Sequence, residues 1–231
     1  TEAQMRANKA EATFIRDLCY FYLIRAFRDV PMVFEPSIDD TKEYMVPATP
    51  MNQALKMLSD DLESVKNDAV LRYVDDSKMT NSEAASQAYE NCSKVTRVAI
   101  YALLADIYLW RGEYDKAISC CDYVINFKKN QYEERVSNIG QMSDMFVFDG
   151  IPMIRESYAN SKICGNAYTE IFGNGFSFES LFELGYSKCS YDNKYTSGSY
   201  TSRSAGRMGR YSAPEDYYLN VLTGNNVYFA K

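Results

Sequence analysis

The stretch Val95–Phe127, VTRVAIYALLADIYLWRGEYDKAISCCDYVINF, constrains the fold of this chain more than any other feature. It predicts two helices joined by a tight Arg-Gly-Glu-Tyr turn. Small residues stand where the helices must approach closely, and larger ones are spaced to interlock them. The small set is Ala99, Ala102, Ala105 and Gly112, and the larger set is Leu104, Tyr108, Tyr114, Ala117 and Ile118. This spacing is typical of a tetratricopeptide-type hairpin, a unit that builds binding scaffolds more often than catalytic sites.

The composition excludes several classes of chemistry. Histidine is absent, which removes the commonest general base and metal ligand. A net charge of −6 argues against nucleic-acid binding, which needs a basic footprint. The six cysteines show no metal-ligand spacing, and we expect Cys19, Cys120 and Cys121 to be buried free thiols. No cofactor or metal is therefore predicted.

Two further helices are predicted before the hairpin. The first runs roughly from Thr1 to Phe27 and ends before Pro31, because the residue preceding a proline disfavours helix. Thr49 is expected to cap the second helix, with Pro50 as its first residue. Apolar residues at helical spacing predict the core face of each. In the first these are Phe14, Ile15, Leu18, Cys19, Tyr22 and Ala26. Phe21, Leu23 and Ile24 fill its other side, so we expect this helix to be covered on more than one face. In the second the apolar residues are Met51, Leu55, Leu58, Leu62, Val65 and Ala69.

The helical pattern weakens after about Asn130. Residues 1–130 are therefore predicted to form a tetratricopeptide-like helical scaffold, and 131–231 an irregular, loop-rich region packed on it within one domain. Part of that region, Tyr186–Tyr211, has five tyrosines, five basic residues and one acidic residue in an otherwise acidic chain. Its lack of aliphatic side chains predicts a long loop rather than core, and long ordered loops are often functional.

Several segments resemble one protein family. The segment EATFIRDLCYFYLIRAFRDVPMVFEP is similar to the hallmark of the SusD/RagB family of Bacteroidetes outer-membrane nutrient-binding lipoproteins. SDDLESV at 59–65, ALLADIYLWRGEYDKA and FESLFEL at 178–184 resemble later family motifs in the same order, the last of them a strand. The sequence departs from the family at Arg28, where glycine is usual, and at Asp17-Leu18, where Ala-Tyr is usual.

The resemblance implies a mainly α fold of tetratricopeptide-like helical hairpins with an irregular mixed ligand-binding region. It also implies a non-catalytic protein at the cell surface that captures oligosaccharides and passes them to a TonB-dependent, SusC-like outer-membrane barrel. A lipid anchor would hold such a protein to the membrane. The signal peptide and lipidated cysteine of the family are not in this sequence, so we expect it to be the middle piece of a longer protein.

The family's ligand surface is generally aromatic and lies partly in loops after the FESLFEL-like segment. This implies a ligand site built from Tyr191, Asn193, Tyr195, Tyr200, Arg203, Arg207 and Tyr211. Aromatic rings pack on sugar C–H faces, while amide and guanidinium groups bind hydroxyls. Trp110 is expected to lie in the core, and Tyr73 is a weaker surface candidate.

Three alternatives stay open at this point. The same fold and barrel partner could bind peptide instead of glycan, for which the basic residues of the tyrosine-rich segment suit acidic peptides. An intracellular tetratricopeptide scaffold would bind a protein tail, but it predicts three or more clear repeats and the chain has one. A carboxylate-dependent glycosidase would need two carboxylates facing each other across a cleft.

Overall fold

The computed structural model describes residues 1–35, 45–75, 77, 91–140, 145–154 and 178–183. Within them the chain is mainly helical, which confirms the predicted fold class. The elements in order are α1 (Glu2–Phe27), α2 (Met51–Val65), α3 (Arg97–Arg111), α4 (Tyr114–Ile139), β1 (Met145–Phe148) and β2 (Ile151–Ile154). The helices of these ranges include none that combines the length and apolar character needed to cross a membrane.

The chain divides into two compact units. One comprises Thr1–Arg72 and Val95–Phe127, and the other Tyr73–Lys94 and Lys128–Lys231. The boundary expected near residue 130 stays a prediction, but helix α4 runs to Ile139, so the helical pattern ends later than the sequence indicates.

The first unit is built on the packing of α1 against α2. The predicted core face of α2 is confirmed from Leu55 to Ala69, and its leucines at 55, 58 and 62 are completely buried. Burying each such leucine contributes roughly 1.5–3 kcal/mol. Ser59 is also fully buried, and its hydroxyl donates to the Lys56 carbonyl at 2.9 Å, so its polarity is satisfied locally.

The predicted core face of α1 is wrong in part, because the helix is rotated so that Ile15 and Tyr22 are exposed. The buried side chains are Ala10, Thr13, Phe14, Asp17, Phe21 and Ile24. Apolar residues surround this helix, so their spacing alone does not select the face that meets α2. Phe14 of the first predicted set is buried, as are Phe21 and Ile24 of the other side, whereas Leu23 is exposed.

The Phe-x-Asp-Val-Pro segment joins α1 to α2 by two contacts. Val30 pairs with Thr49 in an isolated antiparallel bridge, with N···O distances of 3.3 and 2.9 Å. The carboxylate of Asp29 accepts a hydrogen bond from the backbone N–H of Met51 at 2.9 Å. The expected Thr49 cap is therefore wrong: Pro50 stands at the cap position, and an acceptor from the preceding segment satisfies the helix N-terminus.

The α3–α4 hairpin has the turn that the sequence predicts. The Thr96 hydroxyl accepts from the N–H of Ala99, and Gly112 ends α3 with φ +73°, a left-handed conformation that favours glycine. Leu104, Tyr108 and Ala117 are buried as expected. The predicted interlocking of two other residues is wrong, because the side chains of Tyr114 and Ile118 are 63% and 58% exposed.

The cysteine prediction holds in part. None of the four cysteines in the described ranges forms a disulfide, and Cys120 is buried as expected, but Cys19 and Cys121 are exposed. Consecutive residues of a helix point about 100° apart, so Cys120 and Cys121 do not share the core side. Cys19 is exposed because it lies on the predicted core face of α1, which is turned away from α2.

In the second unit, β1 and β2 form an antiparallel hairpin with Met145 opposite Ile154 and Phe148 opposite Ile151. The two-residue turn consists of Asp149 and Gly150, both with positive φ (48° and 74°). Asp-Gly favours such a turn because both residues tolerate the left-handed region. The short apolar run at 145–148 is therefore a strand.

Candidate functional site

The predicted ligand site lies outside the described residues. This applies to all seven of its members: Tyr191, Asn193, Tyr195, Tyr200, Arg203, Arg207 and Tyr211. The assignment stays a prediction.

The segment that precedes this site is held to the second unit by side-chain to backbone bonds. The Lys128 ammonium donates to the carbonyl oxygens of Phe178 and Ser180 at 2.6 and 3.2 Å, and it lies 5.0 Å from the Phe178 ring centroid. A carboxylate oxygen of Glu179 accepts from the N–H of Ile154 at 2.7 Å. Residues 178–183 form a turn and irregular chain, so the expected strand is wrong here.

Replacing the Lys128 ammonium is expected to release this segment. In Lys128→Met, the amides of Ile154 and Glu183 should exchange hydrogen about tenfold faster, because their acceptors lie in or against a segment that has lost its charge-assisted bonds. Hydrogen exchange resolved by mass spectrometry measures the effect. Lys129→Met removes the same charge one residue away and should leave both amides protected. Equal exchange in the two variants would contradict the anchoring role.

An aromatic cluster surrounds an arginine in the first unit. The Arg25 guanidinium carbon lies 5.5, 5.9 and 5.8 Å from the ring centroids of Phe21, Tyr22 and Trp110. Phe21 is buried and meets Trp110 edge to face, with centroids 6.1 Å apart. We call these four residues the Arg25 cluster. The expected core position of Trp110 is wrong, because its side chain is 41% exposed and only part of it packs on Phe21.

A cavity of about 250 Å³ lies beside α2, α3 and α4. It is lined by Glu63, Lys66, Tyr101, Tyr108, Asp115, Lys116, Ser119 and Cys120. Glu63 accepts from the Tyr108 hydroxyl at 3.0 Å and pairs with Lys66 at 2.5 Å. Burial, followed by the hydrogen bond to Glu63, raises the pKa of Tyr108.

The rings at this cavity are already in contact with other groups. Tyr101 stacks on Tyr123 with centroids 3.8 Å apart, and Lys66 lies 5.2 Å from the Tyr101 centroid. The Tyr108 ring has Lys116 at 5.2 Å and Arg111 at 5.7 Å. Glu63, Lys66, Tyr101, Tyr108 and Lys116 of the lining therefore have partners within the scaffold, which leaves few groups of the cavity available to a ligand.

A buried carboxyl lies at the centre of α1. The Asp17 side chain has no exposed surface, and one oxygen accepts from Arg16 at 3.0 Å. Its other oxygen has no hydrogen-bond partner among the described residues. Arg16 also pairs with Asp61 of α2. Burial raises the pKa of Asp17 to about 7, because desolvation of the charged form outweighs the attraction of Arg16. The sequence marks this position only as a departure from the family pattern.

Tyr73 and Asn91 have structural contacts in the second unit. The Asn91 side-chain oxygen accepts from the N–H groups of Tyr73 and Val74 at 2.8 and 3.0 Å, and its amide donates to the Val74 carbonyl at 2.8 Å. Lys94 lies 5.0 Å from the centroid of the half-buried Tyr73 ring. The Asn91 side chain therefore holds the backbone at Tyr73 and Val74 in place. Across the ranges given above, His, Cys, Asp and Glu form no group that could hold a metal ion.

Part of the chain is similar to known proteins. No family model matches it. "SusD-like protein P2" of Formosa agariphila is 29% identical over 125 residues, which make up 54% of this chain and 22% of that relative. Among solved structures, a laminarin-binding SusD-like protein is 22% identical with a TM-score of 0.41, over 54% of this chain and 24% of its own. A SusD-like protein from Bacteroides fragilis is 16% identical with a TM-score of 0.42, over 57% and 24%. The matched part spans about a quarter of each relative's length.

Proposed function

We propose that this chain, which is similar over 125 residues to a SusD-like protein, belongs to a protein that captures glycans at the cell surface for import. In this proposal it delivers oligosaccharides to a TonB-dependent, SusC-like outer-membrane transporter and catalyses no reaction. The whole protein would be held at the outer membrane by a lipid anchor. One observation carries the proposal: the 29% identity to a SusD-like protein over 125 residues.

The chemistry of the tyrosine-rich segment supports a sugar ligand. Tyr191, Tyr195 and Tyr200 offer apolar ring faces with polar tips, and sugars present both C–H faces and hydroxyls. Asn193 and Arg203 stand between them in the sequence as hydrogen-bonding groups. In the second unit, Lys128 anchors the chain just before this segment. We propose that the anchored chain presents these side chains to the glycan.

Native affinity gels test the proposal. The protein is run through gels containing starch, laminarin, xylan or pectin, beside the double variant Tyr195→Ala/Tyr200→Ala. We expect one polysaccharide to retard the protein, and the double variant to bind it at least about tenfold more weakly, as is usual when two anchoring aromatic side chains are removed. Tyr114→Ala is the matched control, because it deletes an exposed tyrosine of the helical scaffold.

The outcomes separate the proposal from its alternatives. Retardation lost in the double variant and kept in Tyr114→Ala supports glycan capture at the proposed site. Retardation that survives in all variants supports glycan capture and overturns the site. Failure of every polysaccharide, together with saturable binding of an acidic peptide, overturns the glycan ligand and favours peptide capture on the same fold.

A further inference from the structure

The Arg25 cluster has the properties of a ligand site in the helical unit. Arg25 is exposed and makes no ion pair with any residue in the described part of the chain, while three rings surround its guanidinium. A planar guanidinium presents its N–H donors in a fixed fork, so less rotamer freedom is lost for each hydrogen bond that it forms. The cluster therefore presents a planar cation that has no ion pair among the described residues.

The neighbouring rings are accessible. Tyr22 is 62% exposed and Trp110 is 41% exposed, whereas Phe21 is buried beneath them. Exposed aromatic side chains next to a guanidinium that has no ion pair in the described part of the chain match a ligand that combines an apolar face with an anionic group. A guanidinium binds a carboxylate through two parallel hydrogen bonds, which makes a carboxylate the favoured anion.

We propose that the Arg25 cluster binds a uronic-acid unit of an acidic glycan. The carboxylate would pair with Arg25, and the C–H face of the sugar ring would pack on Trp110 and Tyr22. The choice of a sugar over an acidic peptide rests on the proposed glycan-capture function. The site consists of residues of α1 and α3 and includes none of the predicted residues at 191–211.

The net charge of the chain sharpens the prediction. At −6, the protein does not attract polyanions over long distances, so preference for a carboxylate must come from local pairing with Arg25. Binding of a short oligomer at moderate salt therefore measures the pairing with Arg25, because salt screens charge interactions beyond about 10 Å.

Trp110 is the only tryptophan of the chain, so its fluorescence reports directly on this cluster. Titration with tetragalacturonate should give a saturable change in Trp110 emission. The methyl-esterified tetramer has the same rings without the charge and should bind about tenfold more weakly. Arg25→Gln should weaken binding of the acid by the same factor and leave binding of the ester unchanged.

Two further variants guard against indirect effects. Arg6→Gln removes the same charge from α1 but lies in local ion pairs away from the rings, and it should bind like the unaltered protein. Tyr22→Ala deletes an exposed ring of the cluster and should weaken binding of both acid and ester. Circular dichroism confirms that each variant is folded.

Equal binding of acid and ester, or unchanged affinity in Arg25→Gln, would overturn the proposal. A response to an acidic peptide with none to tetragalacturonate would also overturn it and identify a protein ligand. The test is independent of the affinity gels, because Tyr195→Ala/Tyr200→Ala leaves the Arg25 cluster intact. Loss of retardation in that double variant with retained Trp110 titration distinguishes the two sites.

Discussion

The free energy of unfolding should fall by about 4 kcal/mol more in this protein than in its Asp17→Asn variant as the pH rises from about 4 to about 8. The buried Asp17 carboxyl holds its proton to a pKa of about 7, against 3.8 for an ordinary aspartate. Between these values the unfolded chain has released the proton and the folded chain has kept it. The contribution of Asp17 to the free energy of unfolding is therefore fully present below pH 4 and is lost as the pH rises through 7.

The groups that face Asp17 set the size of this effect. Arg16 on the same helix lowers the pKa of Asp17, and Asp61 on α2 raises it, while desolvation exceeds both. In Asp17→Asn the shape of the side chain and the Arg16–Asp61 pair are kept, but nothing titrates at this position. Any cost of burying the amide shifts the whole curve and does not change its slope.

Urea unfolding at several pH values measures the difference between the two curves. Asp122→Asn, which neutralises an exposed aspartate of α4, is the matched control and should run parallel to the unaltered protein. Parallel curves for Asp17→Asn and the unaltered protein would show that Asp17 ionises in the folded state as it does in the unfolded one.

Phe21→Ala should lower the free energy of unfolding by about 3–5 kcal/mol, whereas Tyr22→Ala should lower it by less than about 1 kcal/mol. The Phe21 ring is 1% exposed and supports the Trp110 ring edge to face, so its removal leaves a cavity that rigid helices fill poorly. The Tyr22 side chain is 62% exposed, and its ring contacts Arg25 from the surface.

This pair of variants tests the rotation of α1 directly. Denaturant unfolding followed by circular dichroism and by Trp110 emission gives both free energies. The sequence pattern assigned position 22 to the core and position 21 to the other side of the helix. A larger loss in Tyr22→Ala than in Phe21→Ala would restore the predicted face and contradict the packing of α1 on α2.

The two helices that flank the Phe-x-Asp-Val-Pro segment show why one face is predictable and the other is not. In α2 the leucines at 55, 58 and 62 stand on one side among polar residues, so spacing alone identifies the core face. In α1 apolar residues occur on every side, and the face that is buried in the structure includes the polar residue Asp17. Helix propensity and the spacing of apolar residues contain no information about a neighbour 40 or more residues away in the chain, such as Asp61 beside Arg16.

The residues of the Arg25 cluster also differ in how far the sequence predicts their surroundings. Trp110 is visible in the sequence as the only tryptophan, but its position before Gly112 indicates core packing. In the structure the Trp110 ring meets Phe21 of α1 edge to face, and the rest of the ring is left exposed. Arg25 carries no sequence mark at all, because a basic residue in the last turn of a helix is ordinarily explained by the helix dipole.

By itself the sequence determined the local elements: the α3–α4 hairpin with its glycine turn, the core face of α2, the mainly helical class and the relationship to SusD-like proteins. These follow from short-range periodicity and from residues that only a left-handed or capped position favours. The tertiary structure alone decided which face of α1 is buried, that Asp29 caps α2, that Lys128 holds the segment at 178–183, and that three rings gather around Arg25. Each of these depends on contacts between segments distant in the chain, whose energies no local pattern contains.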